Sequence, residues 1–532
     1  MDVAATLRHL RCMQDSGLRF MSRVRTRADV EALMEPFKRT LRIGPLPPIV
    51  HVAGTKGKGS TCAMVESCLR SSGLRTGLFT SPHLVCPTER IRINGVPVSR
   101  EAYLSEFSGC LEELQGANGG ALPASLSGFN FLLLLAYRLF SRAALDVLVL
   151  EVSVGGLLCA TNALPASKVL VSGVTLLDYD HMALLGSTLE EIAAQKAGIF
   201  RPGVPAVAVR PHSPSVAGVL EAVARGQGTP LQWSSEEAFA SACPGGRQPR
   251  LSLQGRFQLG NAALAASLVD IALQRLRDCI AGSGLGSEGA AAAAAAAAAS
   301  AAAPPADYRF AAPLPQGTLD GLATASWPGR AQRVALPLSA AGPQITLFLD
   351  GAHTPMSMAE VCLWFRGCLR EQQQAGPAAC ALIFYCGRDK VPGALMASLA
   401  ASAPWAQVHI VDIDPPPGAA GGGGGGGALS PWVGSLSEAW VRACAGGGEG
   451  EAHLPEGSAL SWAQWLEREG GALPAAAGQQ EGPVAAAQPH LHHCFTDALA
   501  SVKASAAASG VPHNVLVTGS LYLVGEALRV LA

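Results

Sequence analysis

The sequence predicts an α/β protein: a doubly wound, mostly parallel sheet domain followed by a second, smaller α/β domain. Three observations predict it. Short, uniformly apolar runs alternate with helix-like stretches, the pattern of parallel strands covered on both faces. A glycine-rich turn joins the first such run to a helix. An alanine-rich tract separates two sets of runs, as a linker between two domains would.

The elements follow in order. Residues 48–53 (PIVHVA) form the first run, and residues 61–70 read as the helix after the turn. Residues 129–140 (FNFLLLLAYRLF) are too short for a membrane span and are interrupted by Asn130 and Arg138, so a buried core helix is expected. Residues 145–152 (LDVLVLEV) and 169–177 (VLVSGVTLL) are further strands, and a helix is expected over 188–198. Residues 205–209, 345–349, 381–385, 408–411 and 514–517 complete the set. The domains are expected to span 1–322 and 323–532, with low-complexity insertions at 281–305, about 415–428 and 446–488.

Composition narrows the function. The 532 residues are ample for a large core, and 39 Lys+Arg against 40 Asp+Glu give a net charge of -1. No global basic field exists to hold a nucleic-acid backbone, so a small-molecule enzyme is the better expectation. The 14 cysteines form no CxxC pair and read as reduced thiols of an intracellular protein. The first residues lack the apolar block of a secretory signal; a cytoplasmic protein is expected, with a mitochondrial or plastid form left open.

Gly54-Thr55-Lys56-Gly57-Lys58-Gly59-Ser60 carries the first chemistry. Backbone N–H groups in such a turn, together with the positive helix end, bind phosphate. Lys58 would reach the terminal phosphates, and Ser60 would offer its hydroxyl to Mg²⁺. Gly59 between them departs from the usual G-x-x-x-x-G-K-[ST] spacing. Glu151 ends a strand, where a Walker-B-type acid stands in the ligand crevice of a parallel sheet. The first domain is therefore a P-loop domain.

This form of the turn resembles that of the folylpolyglutamate synthases and their relatives, the Mur ligases. Phe79 to Val85 with Glu89 to Gly95, Asp178 to His181, Ile192 to Phe200, Trp327 to Arg330, Leu349 to Thr354 and Leu516 to Leu521 are similar to further segments of the eukaryotic folate branch. The resemblance implies a Rossmann-like second domain and ATP-dependent ligation of L-glutamate to the γ-carboxyl of a (tetrahydro)folyl-(poly)glutamate through an acyl phosphate. It implies nucleotide contacts from Gly54, Thr55, Gly57, Lys58, Gly59, Ser60 and Thr61, and from Gln258 and Asn261, with Phe257 where a histidine is usual. Two Mg²⁺ ions are implied, with Ser60, Ser81, Glu151 and His181 as ligands, and K⁺ is a further candidate cofactor. Lys196 is implied to be carbamylated, whereas by itself it reads as a solvated helix lysine. Arg330 is implied to neutralise the transferring phosphoryl group, with Asp350 and His353 contacting nucleotide or positioning the amino acid. Without the resemblance, Arg330 and Asp350 read equally as a buried ion pair.

The implied partners are folate and L-glutamate, with a monomeric chain, no nucleic acid and no integral membrane segment. Dihydrofolate synthase and a catalytically impaired nucleotide- or folate-binding homologue remain alternatives. The family pattern E-V-G-x-G-G-x-x-D-x-T-N is altered here: Ser153 replaces a glycine and Cys159 an aspartate. Serine would add strain if that position needs a positive φ. The His490 to Cys494 cluster (HLHHC) is expected to be an accessible loop rather than a zinc site.

Overall fold

The computed structural model describes residues 2–12, 24–246, 249–280, 305–338, 343–373, 376–388, 390–413, 429–445 and 487–531. Almost all of the three low-complexity tracts lies outside these residues. The chain divides into two units: Met1–Ser252 with Gln258–Trp327, and Leu253–Phe257 with Pro328–Ala532.

In the first unit the described strands are β1 (Ile49–Ala53), β2 (Thr76–Phe79), β3 (Ile91–Ile93), β4 (Val96–Pro97), β5 (Val147–Glu151), β6 (Val169–Val174), β7 (Ala206–Val209) and β8 (Leu231–Ser234). They form one sheet in the order β4-β3-β2-β5-β1-β6-β7-β8. β1 is parallel to both β5 and β6, and β2 is parallel to β5; β3 and β4 add an antiparallel margin. Every residue of β1, β5 and β6 is buried, including His51, Glu151 and Ser172 within their mainly apolar runs. The order places the carboxyl ends of β2, β5, β1 and β6 side by side.

The helix Lys58–Ser71 follows the glycine turn and packs against the helix Gln316–Thr324. Gly321 permits that contact, because a β-carbon there would strike the Cys68 backbone. The expected core helix is Gly128–Arg142, entered through a Ser127 cap on the Asn130 N–H at 3.2 Å. Arg138 within it is paired with Glu106 at 2.9 Å and Glu113 at 2.8 Å, which makes its burial tolerable. Among the described residues no helix is long and apolar enough to cross a membrane.

The second unit holds β9 (Gln332–Pro337), β10 (Gln344–Leu349), β11 (Ala379–Phe384), β12 (Trp405–Val411), β13 (Pro489–His492) and β14 (His513–Thr518). Their order is β13-β12-β11-β14-β10-β9, parallel except for β9. Helices Pro355–Gln373, Pro392–Ala400, Pro431–Cys444, Phe495–Ser509 and Leu521–Leu531 belong to it, and Phe348, Phe365 and Trp405 form part of its aromatic core. The Phe365 and Trp405 rings stack at 5.5 Å.

One expectation is corrected. His490 and His492 lie on β13, an edge strand paired with β12, and not in a loop. His490 is opposite His409, and His409 Nδ1 lies 2.9 Å from His492 Nε2. The polar, histidine-rich segment lacks the alternation of a strand; backbone pairing with the apolar β12 decides its conformation.

Candidate active site

The turn after β1 is built by glycine where the backbone leaves the ordinary regions. Gly57 has φ 86° and caps the helix Lys58–Ser71, and a β-carbon there would collide with Asn261 Oδ1. Gly54 has φ 138° and lies against the next strand end, where a β-carbon would come within 2.8 Å of the Thr175 N atom. The Thr55 and Lys56 N–H groups donate to the Leu176 carbonyl at 3.0 and 3.1 Å, so the turn is tied to the end of β6. Lys58 Nζ donates to the Thr55 carbonyl at 3.4 Å, folded back over its own loop. Ser60 and Thr61 are buried, and Thr61 Oγ1 has no hydrogen-bond partner. A buried hydroxyl in the first helical turn beside backbone N–H groups matches an anion of phosphate type.

The acid at the tip of β5 meets the loop after β2. The Ser81 N–H donates to Glu151 Oε2 at 2.9 Å, and Glu151 is buried. Parallel pairing puts Glu151 opposite Val52, two residues before Gly54. Buried Ser60 and Glu151 offer hydroxyl and carboxylate oxygens, the hard donors Mg²⁺ prefers. On the other side of β1, Asp178, Asp180 and His181 follow β6. Thr55 Oγ1 donates to the Asp178 carbonyl at 3.1 Å, and the His181 N–H to Asp180 Oδ1 at 3.0 Å.

Lys196 is not the solvated helix lysine its isolated sequence suggests. Thr188 caps its helix, Leu189–Ala197, through a capping box with Glu191. Lys196 is buried, and its Nζ donates to the Gly54 carbonyl at 2.8 Å. Burial, reinforced by Lys58 and Lys56 and opposed by Asp180, holds its amine well below the ordinary lysine range. Gln258 and Asn261 are also buried here: Asn261 Nδ2 donates to Gln258 Oε1 at 2.9 Å, and Gln258 Nε2 has no hydrogen-bond partner.

In the second unit the Asp350 carboxylate accepts from the Ala331 N–H at 2.8 Å and the Ala352 N–H at 2.9 Å. Burial pushes its carboxyl above the usual range, opposed by Arg330 and by these two N–H groups. Arg330 Nη1 donates to the Gly329 carbonyl at 3.2 Å, and His353 Nδ1 is 2.7 Å from the Gly351 carbonyl. Arg330, Asp350 and His353 thus gather around Gly351, whose β-carbon would meet Leu521 and Arg330.

No family model matches the chain. A folylpolyglutamate synthase of Arabidopsis thaliana is 32% identical over 532 residues, covering 91% of this chain and 79% of that protein. The chain belongs to the folylpolyglutamate synthase family. Another folylpolyglutamate synthase of Arabidopsis thaliana is 38% identical over 330 residues, and the human mitochondrial one is 39% identical over 355. These matches cover 62% and 65% of this chain, and 52% and 56% of those proteins, so the chain spans little more than half of their length. Among solved structures, Mycobacterium tuberculosis folylpolyglutamate synthase complexed with ADP and AMPPCP superposes with a TM-score of 0.63 at 23% identity, covering 99% of both chains. A bifunctional folylpolyglutamate synthase/dihydrofolate synthase with Mn, AMPPNP and L-glutamate bound gives 0.59 at 22% identity, covering 100% of this chain and 98% of that one. At those identities the likeness shows the fold: α/β, with a large mainly parallel sheet and a second sheet domain.

Against the family pattern, the altered loop after Glu151 is accommodated. Its positive φ falls on Gly155 (67°), and Ser153 is not among the residues with positive φ, so the expected strain at the serine does not arise. Gly156 packs under the Lys196 helix, where a β-carbon would lie 2.7 Å from the Gln195 carbonyl. Cys159 is buried and accepts from Thr161 Oγ1 at 3.2 Å.

The contacts made by two residues of these segments were not read from the sequence. Lys56 Nζ pairs with Asp180 Oδ2 at 3.3 Å, tying the glycine turn to the loop after β6. Glu89 accepts from the N–H groups of Leu84, Val85 and Cys86 at 2.9, 2.9 and 2.6 Å, shaping the loop that begins at Ser81. A glutamate three residues after Cys86 was the available signal for the second, as in a capping box.

Proposed function

We propose that the protein ligates L-glutamate to the γ-carboxyl of a (tetrahydro)folyl-(poly)glutamate at the expense of ATP. The observation that carries this reading is the convergence of the glycine turn, the Glu151–Ser81 contact and buried Lys196 at the carboxyl ends of neighbouring parallel strands of a single sheet.

A carboxylate resists attack by an amine, because its charge repels the nucleophile and oxide is a poor leaving group. Moving the γ-phosphoryl of ATP onto it makes an acyl phosphate, with ADP as leaving group. The glutamate amine then attacks the acyl carbon, loses a proton, and phosphate leaves. The turn N–H groups and Lys58 hold the triphosphate, and Gln258 and Asn261 stand beside the turn for the nucleoside. Arg330 supplies positive charge to the transferring phosphoryl group, with Asp350 orienting the strand end that carries it and His353 positioning the amino acid. Ser60, Ser81 and Glu151 are the residues to hold one Mg²⁺ and His181 to hold a second. Bound there, Mg²⁺ neutralises phosphate charge and polarises the phosphoryl oxygens. K⁺ is a further candidate cofactor.

Lys196 is proposed to react as its neutral amine with CO₂, forming an N–C bond and releasing a proton to leave a carbamate anion. Its lowered basicity favours that step. The product gains anionic carboxylates and so crosses membranes poorly, which retains it in the compartment where it is made.

Full-length protein with ATP, glutamate and mono- or polyglutamylated tetrahydrofolate should release ADP and lengthen the folate chain. Dihydropteroate tested beside them separates the dihydrofolate synthase reading. Nucleotide binding without ADP release or elongation would instead identify an impaired binding homologue, the reading that Cys159 motivates.

A further inference from the structure

Trp327 is the last residue of the first unit, and its indole contacts two parts of the candidate site. It lies against Gly59, directly after Lys58 in the first turn of the helix Lys58–Ser71. A β-carbon on Gly59 would lie 2.8 Å from Trp327 Nε1 and 3.0 Å from Cε2. The Arg92 guanidinium also stands over the ring, 5.2 Å from its centroid. Arg92 belongs to β3, the strand that continues from the loop shaped by Glu89 and pairs with β2. Burial lowers the basicity of Arg92, while Glu89 and Glu66 raise it.

One indole thus touches both a backbone that admits no side chain and a half-buried cation set over its ring. Displacement of the first helical turn bears directly on the indole, and displacement of the indole on its contact with the guanidinium. The first turn is where phosphate would bind, and β3 leads from the loop that Ser81 ties to Glu151 and Glu89 shapes. We propose that Trp327 is a positioning residue that couples occupancy of the phosphate loop to the placement of Arg92 for a carboxylate-bearing substrate. This rests on the ligase reading above and adds a route by which nucleotide and folate sense each other. Coupling requires a physical element that both ligands bias, and the Gly59–Trp327–Arg92 stack supplies one.

The test uses the full chain and calorimetric binding of tetrahydrofolyl-diglutamate with and without saturating Mg·ADP. In the parent, Mg·ADP is expected to tighten folate binding. Trp327→Leu, which lacks a π face, is expected to reduce that factor by about 3–30-fold while binding of Mg·ADP alone changes less. Trp327→Phe keeps a ring and should retain part of the coupling. Gly59→Ala, which drives a methyl into the indole, should lose it with Trp327 intact. Arg92→Met should weaken folate binding in the parent but add little in the Trp327→Leu background. Circular dichroism on each variant shows whether it is folded, and the Phe and Met variants keep the question open should Trp327→Leu fail to fold. Unchanged coupling in Trp327→Leu, or additive effects of the Arg92 and Trp327 substitutions, would overturn the inference. A parent that binds neither ligand would instead overturn the ligase reading.

Discussion

Lys196 Nζ donates a 2.8 Å hydrogen bond to the carbonyl of Gly54, 142 residues earlier in the chain. The bond places a buried amine of lowered basicity against the phosphate loop, close enough to Lys58 for the two to repel. A carbamate at that position would exchange a repulsive cation for an anion. Activity of the parent should therefore fall severalfold in CO₂-depleted buffer and return with bicarbonate. Lys196→Ala should lose about 10²-fold or more in kcat, and bicarbonate should not restore it.

On the ligase reading, Glu151 would hold Mg²⁺ as well as anchor the Ser81 loop. Glu151→Gln keeps an oxygen acceptor for the Ser81 N–H but removes the charge. Steady-state kinetics should show a loss of about 10²-fold in kcat and a raised Mg²⁺ requirement, with the thermal midpoint little altered. A parallel collapse of the midpoint would mean that Glu151 acts through folding.

Gly57 cannot carry a side chain without cost. At φ 86° an alanine loses roughly 1–2 kcal/mol from backbone conformation, before its clash with Asn261 is counted. Gly57→Ala should weaken nucleotide binding by at least tenfold in a direct titration, whereas Gly218→Ala, which meets open space inside a helix, should not weaken it.

Cys159→Asp restores the family residue at a buried position whose charge would be felt by Lys196. Turnover is expected to rise severalfold. Equal rates for Cys159→Asp and the parent would show the cysteine to be harmless.

The histidines of the second sheet make its stability fall in acid. Burial, then His492 and His490, pull His409 down to about 3, and burial also lowers His492, with His490 and His493 adding to it and Asp497 opposing. A histidine whose folded pKa is depressed binds protons more readily unfolded. Stability is thus full above the unfolded value near 6.5 and is lost as pH falls toward the folded value. The thermal midpoint should drop by about 5 °C or more between about pH 6.5 and 4.5, and His409→Gln should flatten that slope.

The strands β1, β5 and β6, the capped helix holding Lys196 and the glycine turn were legible in the sequence. Each is governed by local rules: apolar runs for buried strands, Thr188 and Glu191 for a cap, Gly54 and Gly57 for positive φ. The short margins β3 and β4 and the histidine-bearing β13 were not, because pairing with a neighbour decides them more than composition does. Glu151 was marked as functional by its place at the end of an apolar run, a signal that survives without knowing its neighbours.

By itself the sequence determined which residue types could meet an anion and an ion, and the order in which strands and helices occur. Tertiary structure decided that Lys196 is buried on Gly54, that Lys56 reaches Asp180, and that Trp327 meets both Gly59 and Arg92. Those pairings span long stretches of chain and follow from strand order and register. Local propensity carries no term for them, and burial sets their protonation and strength once the sheet has closed.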